Sequence, residues 1–230
     1  MRQALLPLNP DGGENSVRAR RSMSTAEAQR LANFRRSWKM LEMRIAVNFP
    51  ESGSGIVGCA TFDKDHRPRD RDAVRARFAY FRGKVAAARE KSGLSPPRMI
   101  WAPEVLTSRS GQWHVHFITD SSGKDYELLR GAWIYGRVME LEPLRLDPEA
   151  GYEPLARYLS KEPRAVQDFK SREGLHGWSC SRNCLKPELD VVTVPDDYVL
   201  RVPEGCITLL DETRGGEFGE FPEIEFLQCV

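Results

Sequence analysis

Arg98-Met-Ile-Trp-Ala-Pro-Glu-Val-Leu106 and Gln112-Trp-His-Val-His-Phe-Ile-Thr119 are two runs of alternating character joined by Thr107-Ser-Arg-Ser-Gly111. A period of two on either side of a short polar link predicts a β-hairpin. With the loop centred on Arg109, Met99 falls opposite Thr119 and Glu104 opposite His114. Met99, Trp101, Pro103 and Val105 then share a face with Trp113, Val115 and Phe117, and that apolar face belongs under helices. The opposite face carries Glu104, His114 and His116 among Arg98, Ile100, Ala102, Gln112 and Ile118, and reads as open. A slip of one residue would bury Glu104 without a partner, which is costly.

Outward from the hairpin, strands and helices interleave. Asp70 begins a helix to about Lys91, with Val74, Phe78, Phe81, Val85 and Ala88 on one stripe and Gly93 as its stop. Ile56 to Phe62 is a short apolar strand, and Gly53-Ser-Gly-Ile-Val-Gly58 before it reads as a flexible turn. These glycines precede a strand instead of following one, and Cys59 and Ala60 stand where a P-loop needs Lys and Ser or Thr, so neither a dinucleotide fold nor an ATPase is encoded. Further upstream, Leu31, Phe34, Trp38, Leu41 and Ile45 mark a helix over about 25–45, preceded by a disordered lead, 1–24. Downstream, a helix near 125–133, a strand near 136–144, a helix near 153–162 and a strand near 189–194 are expected. The expected fold is α+β, an antiparallel sheet with helices packed on one face.

The composition is that of a globular chain of 230 residues: 40% hydrophobic, 29% charged, 34 Lys and Arg against 33 Asp and Glu. The near balance hides an asymmetry. Residues 15–40 carry seven Lys or Arg against Glu27, whereas 203–230 carry seven carboxylates against Arg214, which reads as a basic leading face and an acidic C-terminal tail, 201–230. The run Ala4-Leu5-Leu6 is cut by Pro7 and Pro10, and nothing approaches the roughly 18 apolar residues of a membrane span, so a cytoplasmic protein is expected. Five scattered cysteines read as reduced thiols.

Two imidazoles and a carboxylate on one strand face suit a divalent cation, magnesium, manganese or zinc, with positions left for water and a substrate oxygen. An isolated His-x-His is more often a hydrogen-bonded pair on a strand surface; the company of Glu104 and a mixed open face favours the cation. On the helix after the sheet, Leu155 and Leu159 are anchors, leaving Tyr158 and Lys161 side by side on a neighbouring face. A phenol is a poor nucleophile unless a nearby cation stabilises its anion.

Thr61-Phe62-Asp63, then Glu104 with His114-Val-His116, then Tyr158-Leu-Ser-Lys161, in this order and spacing, resemble the three motifs of the HUH endonuclease superfamily. Within it the chain is most similar to rolling-circle replication initiators of bacterial plasmids and phages. Trp178-Ser-Cys-Ser-Arg-Asn-Cys-Leu-Lys-Pro187 resembles a stretch that follows the tyrosine motif in phage-type members. Members with two catalytic tyrosines place them on one helical face, whereas Tyr152 and Tyr158 are six apart, so a single-tyrosine enzyme is expected over about 25–200.

The resemblance implies a protein that nicks single-stranded or hairpin origin DNA. Glu104, His114 and His116 would hold Mg2+ or Mn2+, Tyr158 would attack phosphorus, and Lys161 would orient Tyr158 or neutralise charge. The product would be a 5′-phosphotyrosine link and a free 3′-hydroxyl for host polymerase, with host helicase as a further partner and no membrane. Arg98, Gln112, Arg157, Arg164, Lys170, Arg172, Arg182 and Lys186 are candidate DNA contacts, with Trp178 as a stacking platform. His176, Cys180 and Cys184 with Cys206 or Cys229 make a zinc site thinkable, though the usual knuckle spacing is absent and free thiols are favoured. The alternatives are an HUH transposase or mobilisation relaxase with the same chemistry, or a non-catalytic single-strand-binding module, which would normally show aromatics on its open face.

Overall fold

The structure is a computed structural model that describes residues 2–4, 26–106, 112–160, 177–188, 206–216 and 219–228. In chain order the elements are β1 (Arg2–Ala4), α1 (Ala26–Asn48), β2 (Gly55–Thr61), a 3-10 turn (Lys64–His66), α2 (Arg71–Lys91), β3 (Met99–Leu106) and β4 (Gln112–Asp120). There follow α3 (Asp125–Ala132), β5 (Met139–Pro143), α4 (Glu153–Ser160), β6 (Ser179–Cys180), β7 (Cys206–Gly216) and β8 (Gly219–Gln228). The class is α+β. Five strands form one antiparallel sheet in the order β5-β2-β4-β3-β6.

The hairpin has the register read from its alternation, with Met99 opposite Thr119 and Glu104 opposite His114. On its apolar face, Val115, Phe117 and Met99 pack with Ile56, Ala60 and Phe62 against Val74, Phe78, Phe81 and Val85 of α2 and Leu129 of α3. The start of α2 is set by Asp70, whose side chain accepts from the Ala73 N–H at 2.8 Å, satisfying one of the orphan donors of the first turn. Arg89 and Asp125 join α2 to α3 through a buried pair at 2.6 Å, which Ser122 completes by donating to Asp125.

Helices cover both faces of the sheet, a correction to the one-sided packing expected. The second cluster sets Leu41 and Ile45 of α1 and Ala156 and Leu159 of α4 on Ile100 and Ile118. Both isoleucines are fully buried. They were the sign of this layer: two β-branched apolar residues side by side give an amphipathic helix something to bury. Register alone puts Val57, Ile118, Ile100 and Cys180 in one row across the sheet, with Glu142 at its edge. The next row on the same face is Glu140, Cys59, His116 and Ala102, and the one after it Thr61, His114 and Glu104. The covered row and the chemical rows are thus two ends of one surface.

The glycine stretch is not a flexible turn throughout. Gly53 turns the chain at φ +81°, but Gly55 opens β2 and Gly58 lies inside it. A Cβ on Gly58 would sit 2.2 Å from the buried ring of Phe117, so the aromatic packing requires glycine there. The acidic segment expected as a tail contains the antiparallel pair β7–β8, and β8 also pairs with β1 at the start of the lead, giving a second sheet in the order β1-β8-β7. The strand expected near 189–194 lies outside the described residues.

Candidate active site

The two-residue period of β4 puts His114 and His116 on one face, and antiparallel pairing with β3 sets Glu104 beside them. His116 Nε2 lies 2.9 Å from Glu104 Oε2, an ion-pair geometry with both groups largely buried. His114 Nδ1 lies 3.9 Å from the Cys59 thiol of β2, within reach of a weak hydrogen bond to sulfur. Cys59 lies directly across from His116 in the β2–β4 register, with Glu140 on its other side.

The phenol comes from α4. Ala156 and Leu159 are buried against the sheet, Leu155 packs against the same cluster, and Tyr158 projects from the helix half exposed. Its ring meets His116 edge-on, with centroids 5.2 Å apart and planes at 80°. Partial burial raises its pKa, and Glu104, Cys59 and Glu140 push it further by disfavouring a phenolate beside them. Tyr152 does the opposite job. It is fully buried and its hydroxyl donates to the Phe49 carbonyl at 2.7 Å, which fixes the entry of α4 against the end of α1.

A divalent cation fits this donor set by its chemistry. Two imidazoles and a carboxylate occupy neighbouring positions of one sheet face, and two of the donor atoms already meet at the Glu104–His116 contact. Among the described residues, no group of three or more His, Cys, Asp or Glu side chains is drawn together as a metal cage. Glu104 and His116 engage one another, and His114 engages Cys59.

The structure thus brings Glu104, His114, His116 and Tyr158 into one place, and adds Cys59 and Glu140, which sequence reasoning passed over. Their signal was available only through the β2–β4 and β2–β5 registers, because neither strand is a sequence neighbour of the other. Lys161, Arg164, Lys170, Arg172 and His176 lie outside the described residues, as does Cys229. Arg98 makes a two-nitrogen pair with Asp120 and lies over the Phe49 ring. Arg157 pairs with Glu153 at 2.7 Å and lies over Trp38, joining α4 to α1. Trp178 packs with the second cluster and its indole donates to Ser37 of α1 at 3.2 Å, so it is a packing residue before it is a platform. Gln112 is partly exposed at the start of β4, and Arg182 and Lys186 are exposed beyond β6. Cys59, Cys180 and Cys184 are thiols, and Cys184 is buried. The loop of Cys184 is held to α1 by Asn48, which bonds both the N–H and the carbonyl of Leu185.

Against known proteins, no family model, no curated protein and no solved structure matches this chain. Among the described residues, no helix is long and apolar enough to cross a membrane.

Proposed function

We propose that this protein nicks and rejoins single-stranded DNA by tyrosine transesterification, as a rolling-circle replication initiator. The observation that carries the reading is the contact of the half-exposed Tyr158 ring with His116, which itself meets Glu104. These residues come from the two arms of one hairpin and a helix some forty residues on, and they are the ones whose motifs resemble those of HUH endonucleases.

Tyr158 oxygen attacks the scissile phosphorus in line, its proton passes to Glu140, the nearby carboxylate not assigned to the cation, and the 3′-oxygen leaves and takes a proton from water. The products are a 5′-phosphotyrosine and a free 3′-hydroxyl for a host polymerase to extend. Rejoining runs the same exchange backwards, so no nucleotide hydrolysis is needed. Glu104, His114 and His116 would hold Mg2+ or Mn2+, and the chemistry it would supply is Lewis-acid stabilisation of developing negative charge. Edge-on packing on His116 limits the Tyr158 ring to a few rotamers, which lowers the entropy of reaching an attack geometry.

The experiment is incubation of the full chain with labelled single-stranded DNA and manganese, with and without excess chelator. Cut strands bearing a 3′-hydroxyl in manganese alone are expected. Equal cutting in chelator contradicts the cation, and no cutting of any single-stranded substrate contradicts the activity.

A further inference from the structure

Beyond the nicking centre, a second feature has the chemistry of a ligand site. Residues 64–84 carry eight Lys or Arg against three Asp, in a chain whose formal net charge is +1. One of those aspartates, Asp70, is committed to capping α2 and to pairing with Arg69. Lys64, His66, Arg67, Arg69, Tyr80 and Lys84 are all exposed. Arg71 is buried and Arg82 lies over Trp101, and the exposed cations that remain beside the 3-10 turn and Tyr80 are the kind of charge that attracts a polyanion.

The charge is interleaved with rings. His66, Tyr135 and Tyr80 form a row, with centroids 5.9 Å apart for the first pair and 6.3 Å for the second, both edge-on. Arg77 donates to the His66 carbonyl, which ties the 3-10 turn to α2, and its guanidinium lies 5.6 Å from the Tyr135 ring centre and 5.8 Å from that of Phe62. Lys84 lies 5.4 Å from the Tyr80 ring centre. This is a braced ledge: Phe62 and Trp133 anchor it in the core, while Tyr80 remains 48% exposed.

Although α2 lies on the other face of the sheet from α4, the ledge is tied through the backbone to the end of β2 that borders the nicking centre. Thr61 pairs with His114 in the sheet, and two residues on, about 7 Å of extended chain, the Asp63 N–H donates to the Tyr135 carbonyl at 2.9 Å. Gly136 passes so close to the Thr61 carbonyl that a Cβ would stand 2.1 Å from it, which locks the ring row to the end of β2.

We infer that this ledge binds single-stranded DNA adjoining the nick site, its bases stacking on Tyr80 and its phosphates meeting Arg67 and Lys84. The ligand's identity rests on the proposed DNA chemistry; the surface itself rests on the charge and the rings. Exposed rings accept any base face, and flanking cations follow the backbone, so the ledge gives grip and direction without sequence preference.

The test is anisotropy of a fluorescein-labelled single-stranded oligonucleotide of mixed sequence, titrated with the full chain over a salt series. Tyr80→Ala is expected to weaken binding about 5- to 150-fold, with Tyr80→Phe restoring it. Arg67→Gln with Lys84→Gln is expected to lower the slope of log affinity against log salt by about 1.4. Wild-type binding with unchanged affinity and slope in these variants overturns the ledge and leaves the nicking centre standing. A lowered slope with no effect of Tyr80→Ala makes it a general polyanion surface and also overturns the inference. Failure of the wild type to bind any single strand overturns both.

Discussion

The two faces of the five-stranded sheet use the same strands for different ends. Toward α2 and α3, β4 presents Trp113, Val115 and Phe117, which pack in a large apolar cluster. Toward α1 and α4 it presents His114, His116 and Ile118, and only the last is under the helices as core. The first face is a uniform packing surface, while the second is divided along its length. Its Ile100 and Ile118 end carries α1 and α4, and α4 in turn carries Tyr158 over the His and Glu end. The apolar half of the second face is therefore the device that aims the phenol. A helix too short to be stable alone is held by Leu159, Ala156 and the Tyr152 hydrogen bond, and Tyr158 lies on its exposed side.

That division is sharpest where a change on one face leaves the other untouched. His114→Ala or His116→Ala is expected to abolish nicking while the thermal unfolding midpoint and most salt-dependent DNA affinity remain, read by gel assay beside calorimetry. Phe117→Ala, one residue from His116 and on the other face, is expected to cost about 3–5 kcal/mol of stability in denaturant unfolding. If both changes unfold the chain equally, the faces are not functionally separate.

The two tyrosines of the α4 region make a smaller contrast. Tyr152→Phe removes a buried hydroxyl and leaves the Phe49 carbonyl without that donor, an expected loss of about 1–2 kcal/mol by denaturant titration. Tyr158→Phe keeps the ring against His116 and is expected to change stability by less than about 0.5 kcal/mol.

The smallest effect is electrostatic. Burial and the carboxylates of Glu104 and Glu140 hold the Tyr158 phenol above its ordinary value. Glu140→Gln removes one negative charge, so phenolate forms at lower pH. A difference titration in the ultraviolet against the Tyr158→Phe protein should show the midpoint moving down. An upward or absent shift would remove Glu140 from the site.

Much of this was legible in the sequence because alternation is a strong signal. The β3–β4 register followed from centring the loop on Arg109, and it placed Glu104 beside His114 as found. The Asp70 start of α2 was equally plain. The second helical layer was not: the same register sets Ile100 opposite Ile118, but Arg98, Gln112 and the His and Glu residues around them made that face read as a mixed open surface. Cys59 and Glu140 escaped for the same reason: each reaches the site through pairing between strands distant in the chain. The charges of 203–230 read as a solvated tail, yet β7 and β8 pair across that segment, local pairing prevailing over composition. The basic ledge was passed over because its rings, His66, Tyr80 and Tyr135, lie on three separate segments.

In the proposed reaction the Tyr158 oxygen is the nucleophile of a cation-dependent strand transfer. Its most direct test is to trap the protein on single-stranded DNA in manganese, denature and digest it, and identify by mass spectrometry the peptide that carries the nucleotide. A 5′-nucleotide on Tyr158 is expected, absent in chelator and absent from Tyr158→Phe. A nucleotide on Tyr152 or any other residue, or nicked product with no covalent peptide, would contradict it.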